Sequence, residues 1–236
     1  MKFIFFLLAF FISGSNSFAQ ITDEAVQLVL TKKFRQFIIK GHTILDTATA
    51  DFNNDGLRDI ALVTSKKENG DASRAVMILQ KTATGYIIAA KCSNAVLCAE
   101  CGGIFGDPYA GISFTRNVLN ITHYGGSAWR WSSNFTFRFQ HKQWELIGIS
   151  GDSYWNLGDC DGNGVGNAGR NMKEVNFSTK KMHIIETADT NCTPKTDKWV
   201  KIKSYRKITL DNFDVQEDYF KEIVLAPNEP SVKTNK

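Results

Sequence analysis

The residues best suited to chemistry lie together in Asp51-Phe52-Asn53-Asn54-Asp55-Gly56-Leu57-Arg58-Asp59. Calcium takes about six to eight oxygen ligands, and a tight loop supplies them from alternate side chains and a carbonyl. Asp51, Asn53 and Asp55 stand at the first, third and fifth positions of such a loop. Gly56 permits the sharp turn, Leu57 offers its carbonyl, and Asp59 adds a last carboxylate. Without a metal the same residues would make a polar hairpin with an Asn-Asp-Gly turn. Three carboxylates brought together without a cation repel one another, so calcium is the expected cofactor.

Asp159-Cys160-Asp161-Gly162-Asn163-Gly164-Val165-Gly166-Asn167 repeats the spacing. Asp159, Asp161 and Asn163 would form a second, weaker calcium site; the plainer reading is a Gly-rich loop anchored by Cys160. The overlapping glycine pattern from Gly164 to Gly169 lacks the strand and helix that a dinucleotide site needs.

Position 12 of the first loop is Leu62, where a helix-flanked calcium hand would carry Glu, and the loop runs into the apolar strand Ile60 to Val63. Over roughly residues 47–79 this arrangement resembles the calcium loop of FG-GAP or VCBS-type repeats, the blades of integrin-α-like propellers. The resemblance implies strand, calcium loop, strand, with the ligand roles falling on Asp51, Asn53, Asp55, Leu57 and Asp59. It implies no single activity, since such blades serve adhesion, scaffolding and enzymes alike. The segment Gly102 to Trp131 resembles a stretch of secreted bacterial proteins without an assigned activity, and adds no chemistry.

Other reactive residues form no complete catalytic constellation. Cys98-Ala99-Glu100-Cys101 is a C-x-x-C, but a loop rather than a helix follows it. A disulfide is therefore the first reading, ahead of a redox centre or half a zinc site. Cys160 and Cys192 are expected to pair, and Cys98–Cys101 is preferred over Cys92–Cys101, leaving one thiol free. Trp129 and Trp131 share one strand face; they form either core or an exposed platform for a protein or carbohydrate ligand. His42, His123, His141 and His183 sit in no catalytic motif. The leading function is a non-catalytic binding module; the alternative is an exported enzyme, either a hydrolase or a thiol oxidoreductase using Cys98 and Cys101.

The elements that must position these residues are mostly strands. A helix is expected over 22–37, with Val26, Val29, Leu30, Lys33 and Phe37 on its buried stripe. After it the period becomes two. Strands are expected at 60–63, 75–80, 86–90, on either side of Asn117, at 135–140, 144–149, 173–177, 182–186 and 199–205. Phe135, Phe137 and Phe139 should face one way. The fold class is mainly β, with antiparallel sheets arranged as propeller-like blades or a sandwich and one N-terminal helix. A soft boundary is expected near residue 150, between region 20–150 and region 151–226, the latter either part of the same domain or a second one, with a disordered tail over 227–236.

Residues 1–19 read as a secretory leader: Lys2, the apolar run Phe3 to Ile12, and the small-residue pattern Ser17-Phe18-Ala19. The apolar run is too short to span a bilayer. A secreted or periplasmic location follows, where disulfides persist. The formal charge of +4, part of it from Lys2 in the leader, and the lack of a basic run argue against nucleic acid. Mass spectrometry of exported protein should find Gln20 as the first residue; retention of Met1 or Phe3 would refute the leader.

Overall fold

The computed structural model describes residues 23–66, 74–160, 168–187 and 194–227. The segment expected to be a leader, most of the second acidic loop including Asp161 and Asn163, Cys192, and the residues beyond Pro227 lie outside them. The chain is mainly β, and the described residues form two antiparallel sheets and one α-helix, α1 (Asp23–Lys33). The first sheet is a meander of β1 (His42–Ala50), β2 (Asp59–Lys66), β3 (Arg74–Thr82) and β4 (Gly85–Cys92). The second runs in sequence order from β5 (Tyr109–Thr115), β6 (Val118–Gly126), β7 (Trp129–Gln140) and β8 (Gln143–Trp155) onward. It continues through β9 (Ala168–Asn176), β10 (Lys181–Thr187) and β11 (Pro194–Ser204) to the short β12 (Val224–Leu225). β8 crosses residue 150 without a break, so strands from before and after that point share one sheet. Among the described residues no helix is long and apolar enough to cross a membrane.

Tight turns make the meander possible. Arg116 and Asn117, between β5 and β6, are both left-handed, as are His141 and Lys142 between β7 and β8. Two successive left-handed residues give the twist that a two-residue hairpin needs.

β2 and β3 are apolar on both faces and closed to water on both. Ala61, Val63, Val76 and Ile78 join the core shared with the second sheet. Ile60, Leu62, Met77 and Leu79 pack on the other side with Phe34, Ile38 and Ile44. The helix and the turns after it cover this second face, using part of the expected stripe. Val26 and Val29 are exposed, whereas Leu30 and Phe37 pack beside the buried Phe34 and Ile38. The sheet takes up the C-terminal part of the segment. There Phe34 meets Tyr86 edge-on at 5.4 Å and Thr31 Oγ1 accepts the Ile44 N–H. The α-helix also stops at Lys33, so Phe34 to Phe37 continue as turns rather than as helix.

In the second sheet the alternation expected for β7 holds: Phe135 and Phe137 are buried and Phe139 packs against the same core. After β11 the chain turns back through two short 3₁₀ helices, Leu210–Asn212 and Tyr219–Glu222. Phe213 stacks on Tyr219 and meets Phe135 and Phe137 edge-on, closing the core beside β4.

One ring ties the acidic loop into this core. Phe52, the second loop residue, is 4 % exposed and lies 4.8 Å from Phe139 and 4.9 Å from the fully buried Trp144. Phe52→Ala would remove that anchor and leave a cavity, at a cost of about 3–5 kcal/mol. Chemical denaturation of the variant should show that loss; a cost under about 1 kcal/mol would mean that the loop is not anchored through Phe52.

Candidate functional site

The acidic loop bridges β1 and β2 and is ordered by its own carboxylates. Asp51 accepts the N–H groups of Asp55 at 3.0 Å and Gly56 at 2.8 Å. Asp55 accepts the Leu57 N–H at 2.8 Å, and its other oxygen accepts the Asn53 amide, also at 2.8 Å. Asp59 is fully buried, its two oxygens taking the N–H groups of Phe52 and Lys81 at 3.1 and 2.7 Å. Asn54 and Gly56 are left-handed, and no atom lies within 4 Å of where a Cβ on Gly56 would stand. Gly56 is therefore required by backbone conformation, not by crowding. Asn54 also accepts a hydrogen bond from Asn117, which ties the loop to the turn between β5 and β6.

The electrostatics of the loop are unbalanced. Burial raises the Asp59 carboxyl above its ordinary pKa, and the charges of Asp55 and Asp51 raise it further, against the lowering effect of the two backbone N–H donors. Arg58 within the loop and Lys81, whose N–H meets Asp59, turn their charges elsewhere: Arg58 donates to Thr49 at 3.1 Å, and the Lys81 ammonium lies over the Tyr86 ring. Among the described residues, no three His, Cys, Asp or Glu side chains already converge at metal-ligand spacing. The donor set nevertheless suits calcium. Each carboxylate oxygen keeps a lone pair beyond its N–H partner, and Asn53, beside Asp55, would add an amide oxygen. The Leu57 carbonyl would add another, as hard oxygen ligation requires.

Of the second acidic loop, only Asp159 and Cys160 are described; Cys160 is disulfide-bonded, and Cys192, its expected partner, lies outside the described residues. Cys98 and Cys101 are joined, and Cys92 is a buried free thiol whose pKa burial pushes up. The C-x-x-C lies in a turn where no helix begins. Trp129 and Trp131 are separated in role. Trp129 is 45 % exposed and leans on Trp155 at 5.5 Å, whereas Trp131 is half-buried over Gly125, where an added Cβ would come within 2.7 Å of its ring.

Comparison with protein families, with curated proteins and with solved structures finds no match for this chain.

A second polar cluster, not visible in the sequence, lies at the seam where β1 meets β5. Arg74, 4 % exposed, pairs with Asp107 through Nη1 and Nη2 and donates to the Leu97 carbonyl at 3.0 Å. Tyr109 donates to Asp46 at 2.9 Å, and burial together with Asp46 pushes its phenol pKa upward. Burial alone would raise the Asp107 carboxyl. Hydrogen bonds from Arg74 and the Tyr109 N–H, with the Arg74 charge, hold it below the usual range. His123 is fully buried and accepts the Leu97 N–H on Nε2 at 3.3 Å. Burial, then the Arg74 charge, push it down to about 4.

His123 is therefore neutral when folded, whereas unfolded it titrates near 6.5. As pH falls through 6.5 the unfolded chain binds a proton that the folded chain refuses. Stability should decline until about pH 4, by roughly 3 kcal/mol in all. Burial of His42 acts in the same direction. His123→Gln keeps an acceptor for Leu97 and should flatten this decline in denaturation series between about pH 7 and pH 5. An unchanged slope would remove His123 as its source.

Proposed function

We propose that this protein is exported and acts as a non-catalytic binding module whose β framework is braced by calcium in the loop Asp51 to Asp59. One observation carries the reading. Asp51, Asp55 and Asp59 face one another's charge around a loop anchored in the core by Phe52, and no basic side chain of the loop or its neighbour Lys81 turns to them. Asp51, Asn53, Asp55 and Asp59 would supply side-chain oxygens and Leu57 its carbonyl. Such a loop would belong to the FG-GAP or VCBS type, and its ligand would be a protein or a carbohydrate. Asp159, Asp161 and Asn163 would make the weaker second site. The thiol-oxidoreductase reading gains nothing from the fold, because a C-x-x-C in a turn has no helix terminus to stabilise a thiolate.

Extracellular calcium modules have dissociation constants of about 10⁻⁴–10⁻³ M. Calcium at about 100 times that constant would stabilise the native state by roughly 2.7 kcal/mol, about 5–10 °C in melting temperature for a domain of this size. Magnesium should do much less, since it holds its water and demands a stricter octahedron. Asp55→Ala should abolish most of the calcium-dependent shift and Asp161→Ala should leave most of it. Asp59→Ala is unsuitable, because it also strands two backbone donors. Equal melting of wild type in saturating calcium and in chelator, with no heat of binding, would overturn the proposal.

A further inference from the structure

We infer that the outer face of the eight-stranded sheet is a carbohydrate-binding face, with Trp199 as the platform on which a sugar ring stacks. The inference rests on the reading of the protein as a binding module but not on calcium. Along each strand the residues pointing into the core alternate with residues pointing away. Phe135, Ile149, Val175, Met182 and Ile184 go inward. Their neighbours line up across the strands in a single row: Thr122, Asn134, Ser150, Glu174, His183 and Trp199, each the register partner of the next. Every member of the row can hydrogen-bond, and Glu174 is its one carboxylate. At about 4.8 Å per strand the row is about 24 Å long, enough for several sugar rings.

The hydrogen-bonding groups of the row are already oriented. Thr122 donates to Asn134 at 3.1 Å, Asn134 to Thr136 at 3.3 Å, and Thr136 to Asn120 at 3.2 Å. Each amide retains a further N–H and lone pair for a ligand hydroxyl. Trp199 is 61 % exposed, yet it is not loose. One face of its indole stacks on His183 at 4.5 Å with the planes 6° apart, and His183 is in turn held by Asp197 at 2.8 Å. A large ring fixed in this way binds with little ordering cost. Beside it Glu174, Asn176, Thr179, Lys181 and Trp199 line an open cleft of about 400 Å³, within the range of small-molecule sites.

The chemistry selects the class of ligand. A pyranose offers an apolar C–H face to an indole and a rim of hydroxyls that both donate and accept. A row of Ser, Thr and Asn side chains beside a carboxylate and an ammonium matches that rim. A peptide would need apolar pockets or a free strand edge, and a nucleic acid would need a run of cations; this row, with a carboxylate at Glu174 and no Lys or Arg, supplies neither.

The test uses the mature protein with maltohexaose, cellohexaose and chitohexaose as probes, in both calcium and chelator, read by saturation-transfer NMR and titration calorimetry. At least one hexasaccharide should bind. Trp199→Ala should weaken it by about tenfold or more. Trp129→Ala, on the opposite face, should leave it unchanged, and Glu174→Ala gives a second variant within the cleft. Melting curves should be unaltered by Trp199→Ala, because the ring is exposed. No binding of any of the three sugars, or binding that survives Trp199→Ala and Glu174→Ala, overturns the inference, as does loss with Trp129→Ala alone. Calcium dependence of melting is read separately, so failure of the metal site and failure of the sugar face are distinguishable.

Discussion

Strands β2 and β3 carry apolar side chains at nearly every position, so each of their two faces must be covered. That constraint shapes the molecule. An antiparallel sheet is content with one wet face, but Ile60, Leu62, Met77 and Leu79 would then lie in water. Burying a side chain of this size is worth about 1.5–3 kcal/mol. The helix and the turns after it cover that face through Phe34 and Ile38. The larger sheet covers the other, bringing Trp144, Phe137 and Leu119 against Val63, Val76 and Ile78.

Covering both faces has a polar cost at the seam. Arg74 begins β3 and is carried into the interior, where its charge must be met; Asp107 meets it from the loop before β5. Arg74 is the buried partner and Asp107 is half-exposed, so loss of Asp107 would leave a buried guanidinium without its counter-charge and only the Leu97 carbonyl to bond. Asp46 does the corresponding work on β1, accepting from the Tyr109 hydroxyl and the Ile112 N–H. The seam thus fixes how the two sheets meet, and His123 is neutral because it stands beside Arg74 in a place that water does not reach.

Features that rest on neighbours in the chain were legible in the sequence; those that rest on register were not. The Phe135–Phe139 alternation, the turns at Asn117 and at His141-Lys142, and the Asn-Asp-Gly turn of the acidic loop all express local backbone chemistry. Of the helix stripe, Leu30 and Phe37 pack as their spacing implies, while Val26 and Val29 stay exposed because the sheet lies only under the C-terminal part of the segment, where Phe34 and Ile38 are buried. Arg74 and Asp107 stand 33 residues apart and signal nothing to each other in the sequence. Trp199 likewise looks like one more strand aromatic until pairing sets it opposite His183 and at the end of a row of amides and hydroxyls. Trp129 and Trp131 are near neighbours in the chain, yet the fold exposes the first and half-buries the second.

The proposed metal loop and the proposed sugar face divide the molecule's work. The loop is tied by Asn54 to the β5–β6 turn, at one end of the large sheet's strand order. Trp199 on β11 lies five strands from β6, about 24 Å away. The screening length in physiological salt is about 8 Å, so the charge of a cation in the loop is not felt at the indole. Any influence of the metal on a ligand must then pass through the fold. Phe52 couples the loop to Trp144 and the shared core, and the core holds β7 to β10 in the register that aligns the outer row. Calcium would therefore act on the amount of folded protein present rather than on the affinity of each folded molecule, and the two effects have different dependence on temperature and salt.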